Sequence, residues 1–267
     1  MVYLFVAAGF AAAIGALSLY KARQASANVA GLLGVETSTT ALLHELHQNA
    51  TAAAGPGAYR ERVEVEGVVV AGPGGLLTSE ISKTECVWHQ HRVTRHYEHV
   101  RRDDEGRRRV EKRKEKVANN RSRDAFVVRD DHGEVVVVPT HNVQQARKTV
   151  SEFRPEAQGN AGTQLSLGSF SLSLPAADRG GTVGYQYDEW VLTPGTRVFV
   201  SGEAVDRDGR LEIRAPQDDR ILITTRSEDE VLDDKGQEAK MSGLTGYGLL
   251  ALAVALAVAG VVVGIVR

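Results

Sequence analysis

The densest set of side chains able to hold a metal lies in one short stretch: Cys86, His89, His91, His96 and His99. Thiolate and imidazole are ligands that zinc and copper accept, four around a structural zinc or three with one position left open. The spacing argues against such a centre. Cys86 to Val100 reads as an extended segment, and on a strand His89 and His91 point to one side while Cys86 points to the other. The expectation is exposed histidines around a buried free thiol, with no cofactor, and a metal-binding sensor ranks only as a third functional reading. His44 and His47, three apart on a predicted helix, lack a third ligand nearby and are read as surface histidines.

A second constellation is a run of charge. Arg101, Arg102, Arg107, Arg108, Arg109, Lys112, Arg113, Lys114 and Lys116 supply nine basic residues within sixteen, interrupted by Asp103, Asp104, Glu105, Glu111 and Glu115. Such a mixed run first means a solvated hairpin. Attraction to anionic lipid headgroups, worth about 1 kcal/mol per basic residue near a bilayer, is the next reading. Nucleic acid is not expected, because no aromatic residue is interleaved for stacking on bases. Catalytic motifs are missing: no Gly-x-Ser-x-Gly elbow occurs, and the Gly-rich segment Ala71 to Gly75 lacks the Lys-Ser or Lys-Thr ending of a phosphate loop.

The elements that carry these residues follow from pattern. Thr40 to His47 predicts a short amphipathic helix capped by Thr37 or Ser38, and Ala52 to Gly57 reads as a linker. From Tyr59 the period is two: Val63, Val65 and Val68 alternate with charged neighbours, the mark of a half-buried strand. Residues 107–117 could return on Cys86 to Val100 as a hairpin, a helix there being the alternative. Ala125 to Val128 and Val135 to Val138 flank the turn Asp130 to Gly133. Gln164 to Leu174 alternates as one strand, Arg197 to Gly202 and Arg210 to Arg214 form a hairpin, and Ile221 to Thr225 is the last strand. Many short strands at close spacing predict a mainly β domain, an antiparallel, partly open barrel or sandwich. Ser227 and Glu230 form a capping box that starts a helix.

The two ends differ from this middle. Leu244 to Val266 contains no charged residue, and as a helix at 1.5 Å per residue its length matches a hydrocarbon core of ~30 Å. Val2 to Tyr20 is a second uncharged run. The expected organisation is transmembrane helix 1 over 1–20, a juxtamembrane helix and linker over 21–57, the β-rich domain over 58–226, a juxtamembrane helix over 227–243 and transmembrane helix 2 over 244–266. Lys21 and Arg23 flank the first run, so the positive-inside bias places the domain on the cytoplasmic side of a two-span integral membrane protein. All but Arg267 of the 32 Lys and Arg, and all 34 Asp and Glu, lie between the spans, a balance of −3 that sets no global demand for a polyanion. The single cysteine excludes an intramolecular disulfide and a four-cysteine zinc site.

The order of motifs resembles a known family. Val68-Val-Val-Ala-Gly72, Glu85-Cys-Val-Trp88, Phe126 to Pro139 with its Asp-Asp-His-Gly turn, and Tyr187-x-Glu-x-x-Leu-x-x-Gly195 leading into Val198-Phe-Val-Ser-Gly202, all between two apolar ends, are similar to the GIDE-type, or beside-a-membrane, domain. The resemblance spans residues 59–226 and both ends. It implies a relative of membrane-anchored E3 ubiquitin ligases of mitochondria and chloroplasts, of the prokaryotic type. In those ligases catalysis belongs to a RING domain that holds two zinc ions after the second span, and one cysteine cannot build it. The implied function is therefore a membrane-anchored, non-catalytic interaction domain whose partners are the bilayer and an unidentified protein. Ubiquitin-protein transferase activity is the alternative.

Overall fold

A computed structural model of the chain describes residues 2–33, 37–102, 106–156, 164–173, 181–217 and 219–265. The elements run α1 (Val2–Leu33), α2 (Thr40–Ala54), β1 (Arg60–Val70), β2 (Leu77–Thr78), β3 (Glu85–Cys86), β4 (Trp88–Arg102) and β5 (Arg108–Arg121). Then come β6 (Phe126–Arg129), β7 (Glu134–Val137), β8 (Arg147–Pro155), β9 (Gln164–Leu167), β10 (Phe170–Ser173) and β11 (Thr182–Leu192). The last are β12 (Arg197–Arg207), β13 (Arg210–Arg214), β14 (Leu222–Thr224) and α3 (Glu228–Ile265). Two compact units result, Thr37–Arg226 and the pair Met1–Glu36 with Ser227–Arg267. Leu174, Val266, Arg267 and the acidic run Asp103 to Glu105 lie outside the described residues.

In the first unit β1 pairs with both β6 and β12, so the order β1-β6-β7-β13-β12 closes on itself, and β14 adds to β12. The domain is mainly β, as its pattern predicts, but the barrel is closed and mixed where a partly open antiparallel one was expected. The reason is one non-local pairing: β13 lies parallel to β7, with Glu212 opposite Val136 and Ile213 opposite Val137. Val63, Val65 and Val69 of β1 face the core with Phe126, Val128, Val137, Val200 and Ile213. Val68, expected inward, is half-buried, because Gly67 takes the inward position between Val65 and Val69. Only glycine fits there: a Cβ on Gly67 would strike the Arg129 carbonyl of β6.

A second sheet, β5-β4-β11-β8, springs from the barrel where Val87 N–H bonds Leu192 C=O at 2.8 Å and Trp88 enters the barrel core. The segment 107–117 is strand, the return arm of a long hairpin with β4. Gln164 to Leu174 is not one strand: Gly168, at φ 60°, lets β9 turn back as β10, and the hairpin lays Leu167 and Phe170 on the sheet's inner face against Val93, Tyr185 and Tyr187. Helix α2 is longer than predicted, from an N-cap at Thr39 to Gly55 at φ 87°, and seats Leu43 in the barrel core.

In the second unit α1 and α3 are single helices, with no break at either predicted juxtamembrane boundary. Ser227 caps α3 as one half of the predicted box, its Oγ accepting from Glu230 N–H at 3.4 Å. Small residues face the partner helix: a Cβ on Gly15 would lie 3.1 Å from Gly246 O, and Ala8, Ala11 and Ala253 are buried. Leu19, Leu249 and Leu250 pack beside these glycines, while Phe10, Ile14, Tyr247, Val254 and Val258 are exposed. Among the described residues no helix is long and apolar enough to cross a membrane.

Candidate functional site

Strands β3 and β4 distribute the candidate ligands instead of gathering them. The Cys86 thiol, on β3, is fully buried and donates to Leu77 C=O at 3.7 Å. Burial pushes it up to about 11, and the nearby Glu189 carboxylate adds to the rise, so the thiol is neutral and poorly nucleophilic. His91 is buried on the inner face of the second sheet, its ring edge-on to Phe170 at 5.0 Å and its Nε2 at 3.4 Å from the Asn120 amide nitrogen. Burial lowers its pKa, the Glu80 and Glu189 carboxylates opposing and His89 reinforcing the shift. It is not the exposed histidine expected, because the β9–β10 hairpin covers it. His96 sits on the outer face against Phe153 at 5.3 Å, and His99 is exposed further along. Among the described residues no group of three or more His, Cys, Asp or Glu could hold a metal.

Three carboxylates that no sequence motif singles out as a site organise the unit. Glu189 of β11 is fully buried and accepts from Ile81 N–H at 2.6 Å, Ser82 N–H at 2.9 Å, Ser79 Oγ at 3.1 Å and Thr149 Oγ1 at 3.0 Å. Burial disfavours its charge, but the Ser82 hydroxyl, which also donates to the carboxylate, and these donors outweigh burial and hold the carboxyl below the ordinary range. The loop from Ser79 to Thr84 is thus wrapped around one anion. The only signal in the sequence is the Glu of Tyr187-x-Glu, a charge in phase with the inward Tyr185, Tyr187 and Val191.

Asp206 of β12 does the same for α2. Its Oδ2 accepts from Gly57 N–H at 2.9 Å and Thr51 Oγ1 at 3.2 Å, its Oδ1 accepts from Gly209 N–H at 2.8 Å, and His47 Nε2 lies 3.2 Å away. Hydrogen bonds, that from Gly57 first, hold its carboxyl low. His47 is therefore buried between Asp206 and the Tyr59 ring, where a surface histidine was expected. Asp130 ties the other end of α2 to the β6–β7 turn, accepting from Thr40 N–H at 2.7 Å and from its own turn at His132 and Gly133.

The basic run occupies the outer half of the β4–β5 ribbon. Cross-strand neighbours are Arg102 with Arg108, Arg101 with Arg109, Val100 with Val110, Glu98 with Lys112 and His96 with Lys114. Arg101, Arg102, Arg107, Arg108, Arg109, Lys112, Arg113, Lys114 and Lys116 are all exposed. A shallow cavity of about 240 Å³ opens on this ribbon between His96, Glu98, Lys112, Lys114 and Val183. What this unit presents is a barrel and a second sheet, fastened by the Asp206, Asp130 and Glu189 carboxylates, with a basic ribbon formed by β4 and β5. Among its described residues no group is arranged as nucleophile, base and orienting partner.

The chain was compared with known proteins. The GIDE family model, described as E3 ubiquitin ligase, matches residues 95–260, which covers most of the second sheet, most of the barrel and much of α3. No curated protein and no solved structure matches it.

Proposed function

The chain belongs to the GIDE family, and from that membership we propose that it is a membrane-anchored interaction module whose β domain binds a protein at the bilayer surface without catalysing a reaction itself. The observation that carries the anchoring is the packing of α1 on α3. Small residues, Gly15 and Gly246 among them, meet at the helix contact, while Phe10, Ile14, Tyr247 and Val254 face outward. A pair of helices in water buries its large apolar residues. In lipid, where large apolar residues gain nothing by being hidden, close approach through small residues is what holds helices together. The absence of charge from Leu244 to Val266 agrees with that solvent. Lys21 and Arg23, exposed on α1, favour the cytoplasmic side for the β domain.

Sedimentation tests the anchoring: the full chain should pellet with membranes in the absence of detergent, and recovery in the supernatant refutes it. Protease accessibility in right-side-out against inverted vesicles tests the orientation.

The non-catalytic half of the proposal is supported by the site. The one cysteine is buried with a raised pKa, and the Glu189 and Asp206 carboxylates are consumed by backbone and hydroxyl donors. The family description favours a second reading, E3 ubiquitin-protein transfer. Incubation of the purified chain with activating and conjugating enzymes, ubiquitin and ATP decides between them. Absence of ubiquitin conjugates supports the interaction module, and self-conjugation without an added ligase supports transferase activity.

A further inference from the structure

The β4–β5 ribbon sorts its charges between two faces. In an antiparallel pair, residues directly opposite share a face and the faces alternate along each strand. The register is unbroken from Thr94 opposite Lys116 to Arg102 opposite Arg108, so Arg102, Arg108, Lys112, Lys114 and Lys116 all lie on one face. The carboxylate on that face among the described residues is Glu98, opposite Lys112. The other face takes Glu111 and Glu115, each bound to an arginine: Glu111 to Arg113 at 2.8 Å and Glu115 to Arg95 at 3.2 Å. Among the described residues, a run that looks mixed in sequence is therefore strongly basic on one side.

That same side carries apolar surface. Val100 and Val110, opposite one another, are 47% and 48% exposed, beside the Arg102–Arg108 pair. Valines placed in water and like charges placed directly opposite each other both weaken a two-stranded ribbon. A counter-surface that offers phosphates to the arginines and hydrocarbon to the valines reverses both penalties.

We propose that this face of the ribbon docks on anionic phospholipid, the basic side chains taking headgroup phosphates and carboxylates and the Val100–Val110 pair entering the acyl boundary. The choice of lipid over another polyanion rests on the membrane-held reading above. It also rests on the apolar pair, which a bilayer accepts and a nucleic-acid backbone does not.

To test this, the full chain is reconstituted into vesicles of phosphatidylcholine alone or with phosphatidylserine. An environment-sensitive fluorophore is attached at Val110→Cys and, as the opposite-face control, at His99→Cys. Cys86 is buried and serves as the unlabelled background. The prediction is a blue shift at position 110 with phosphatidylserine only, weaker in high salt, absent at position 99, and lost in Arg102→Glu/Arg108→Glu. These residues are exposed, so circular dichroism of the variant should match the parent.

Equal emission in both vesicles overturns the lipid contact. A shift produced in neutral vesicles by polyglutamate or an oligonucleotide, but not by phosphatidylserine, also overturns it and assigns the face to an acidic protein or a nucleic acid. Flotation after an alkaline wash separates the two readings. A chain that floats with both vesicle types but shows no shift loses the ribbon contact and keeps the anchor. Flotation with phosphatidylserine only, reversed by the wash and by the arginine substitutions, keeps the ribbon contact and loses the anchor.

Discussion

Glu189 and Ile81, 108 residues apart, are joined by a 2.6 Å hydrogen bond from the Ile81 backbone N–H to the Glu189 carboxylate. That anion organises the whole Ser79 to Thr84 loop and, through Ile81, closes one side of the second sheet's core. Glu189→Ala leaves these donors without their acceptor, at about 2–4 kcal/mol. The expected result is a fall in melting temperature on the order of 10 °C, with faster amide exchange at Ile81 and Ser82. Unchanged exchange there contradicts the assigned role.

His91 gives the unit a pH dependence. Its folded pKa lies below the ordinary 6.5, so the folded state binds fewer protons than the unfolded one as pH falls. Its contribution is whole above 6.5 and is lost progressively below it, where Glu189, whose folded pKa lies below 4.5, still contributes fully. Melting temperature measured from pH 8 to pH 5 should decline below about 6.5, and His91→Phe should flatten that decline. A variant that keeps the full slope assigns it to another group.

Asp206 fastens α2 to the barrel through Thr51, Gly57 and His47. Asp206→Ala should release the carboxyl-terminal half of α2 while the strands stay formed. Hydrogen exchange then rises at residues 51–57 before any change in β1 or β12. Simultaneous loss of protection in both strands indicates that Asp206 supports the barrel itself.

Gly67→Ala places a methyl group against the Arg129 carbonyl and forces β1 and β6 apart. The expected cost is about 1–3 kcal/mol, read as a lower urea midpoint with an unchanged slope. Gly9, which meets nothing within 4 Å, is the tolerant control.

Local patterns in the sequence carried the fold as far as its hairpins. The Asp-Asp-His-Gly turn announces β6 and β7, and Asp208-Gly209, both at positive φ, announce β12 and β13. Strand β8 was not visible because it is an edge strand exposed along most of its length, so nothing alternates. Strand β11 was hidden because its inward phase includes a glutamate. Barrel closure and the His47–Asp206 contact depend on residues far apart in the chain, which spacing does not encode. The basic run was legible as a run, but its sorting between faces required the register of β4 against β5. The dispersal of the histidines followed from strand alternation, which sends His91 inward and His96 outward.

The central proposal is that α1 and α3 turn their exposed large apolar side chains to lipid. A photoreactive residue at Ile14 or Val254, both exposed on the helix pair, tests it in reconstituted vesicles. Adducts with phospholipid acyl chains at both positions are the predicted outcome. Labelling at both positions by a water-soluble reagent, with no lipid adduct, contradicts the account.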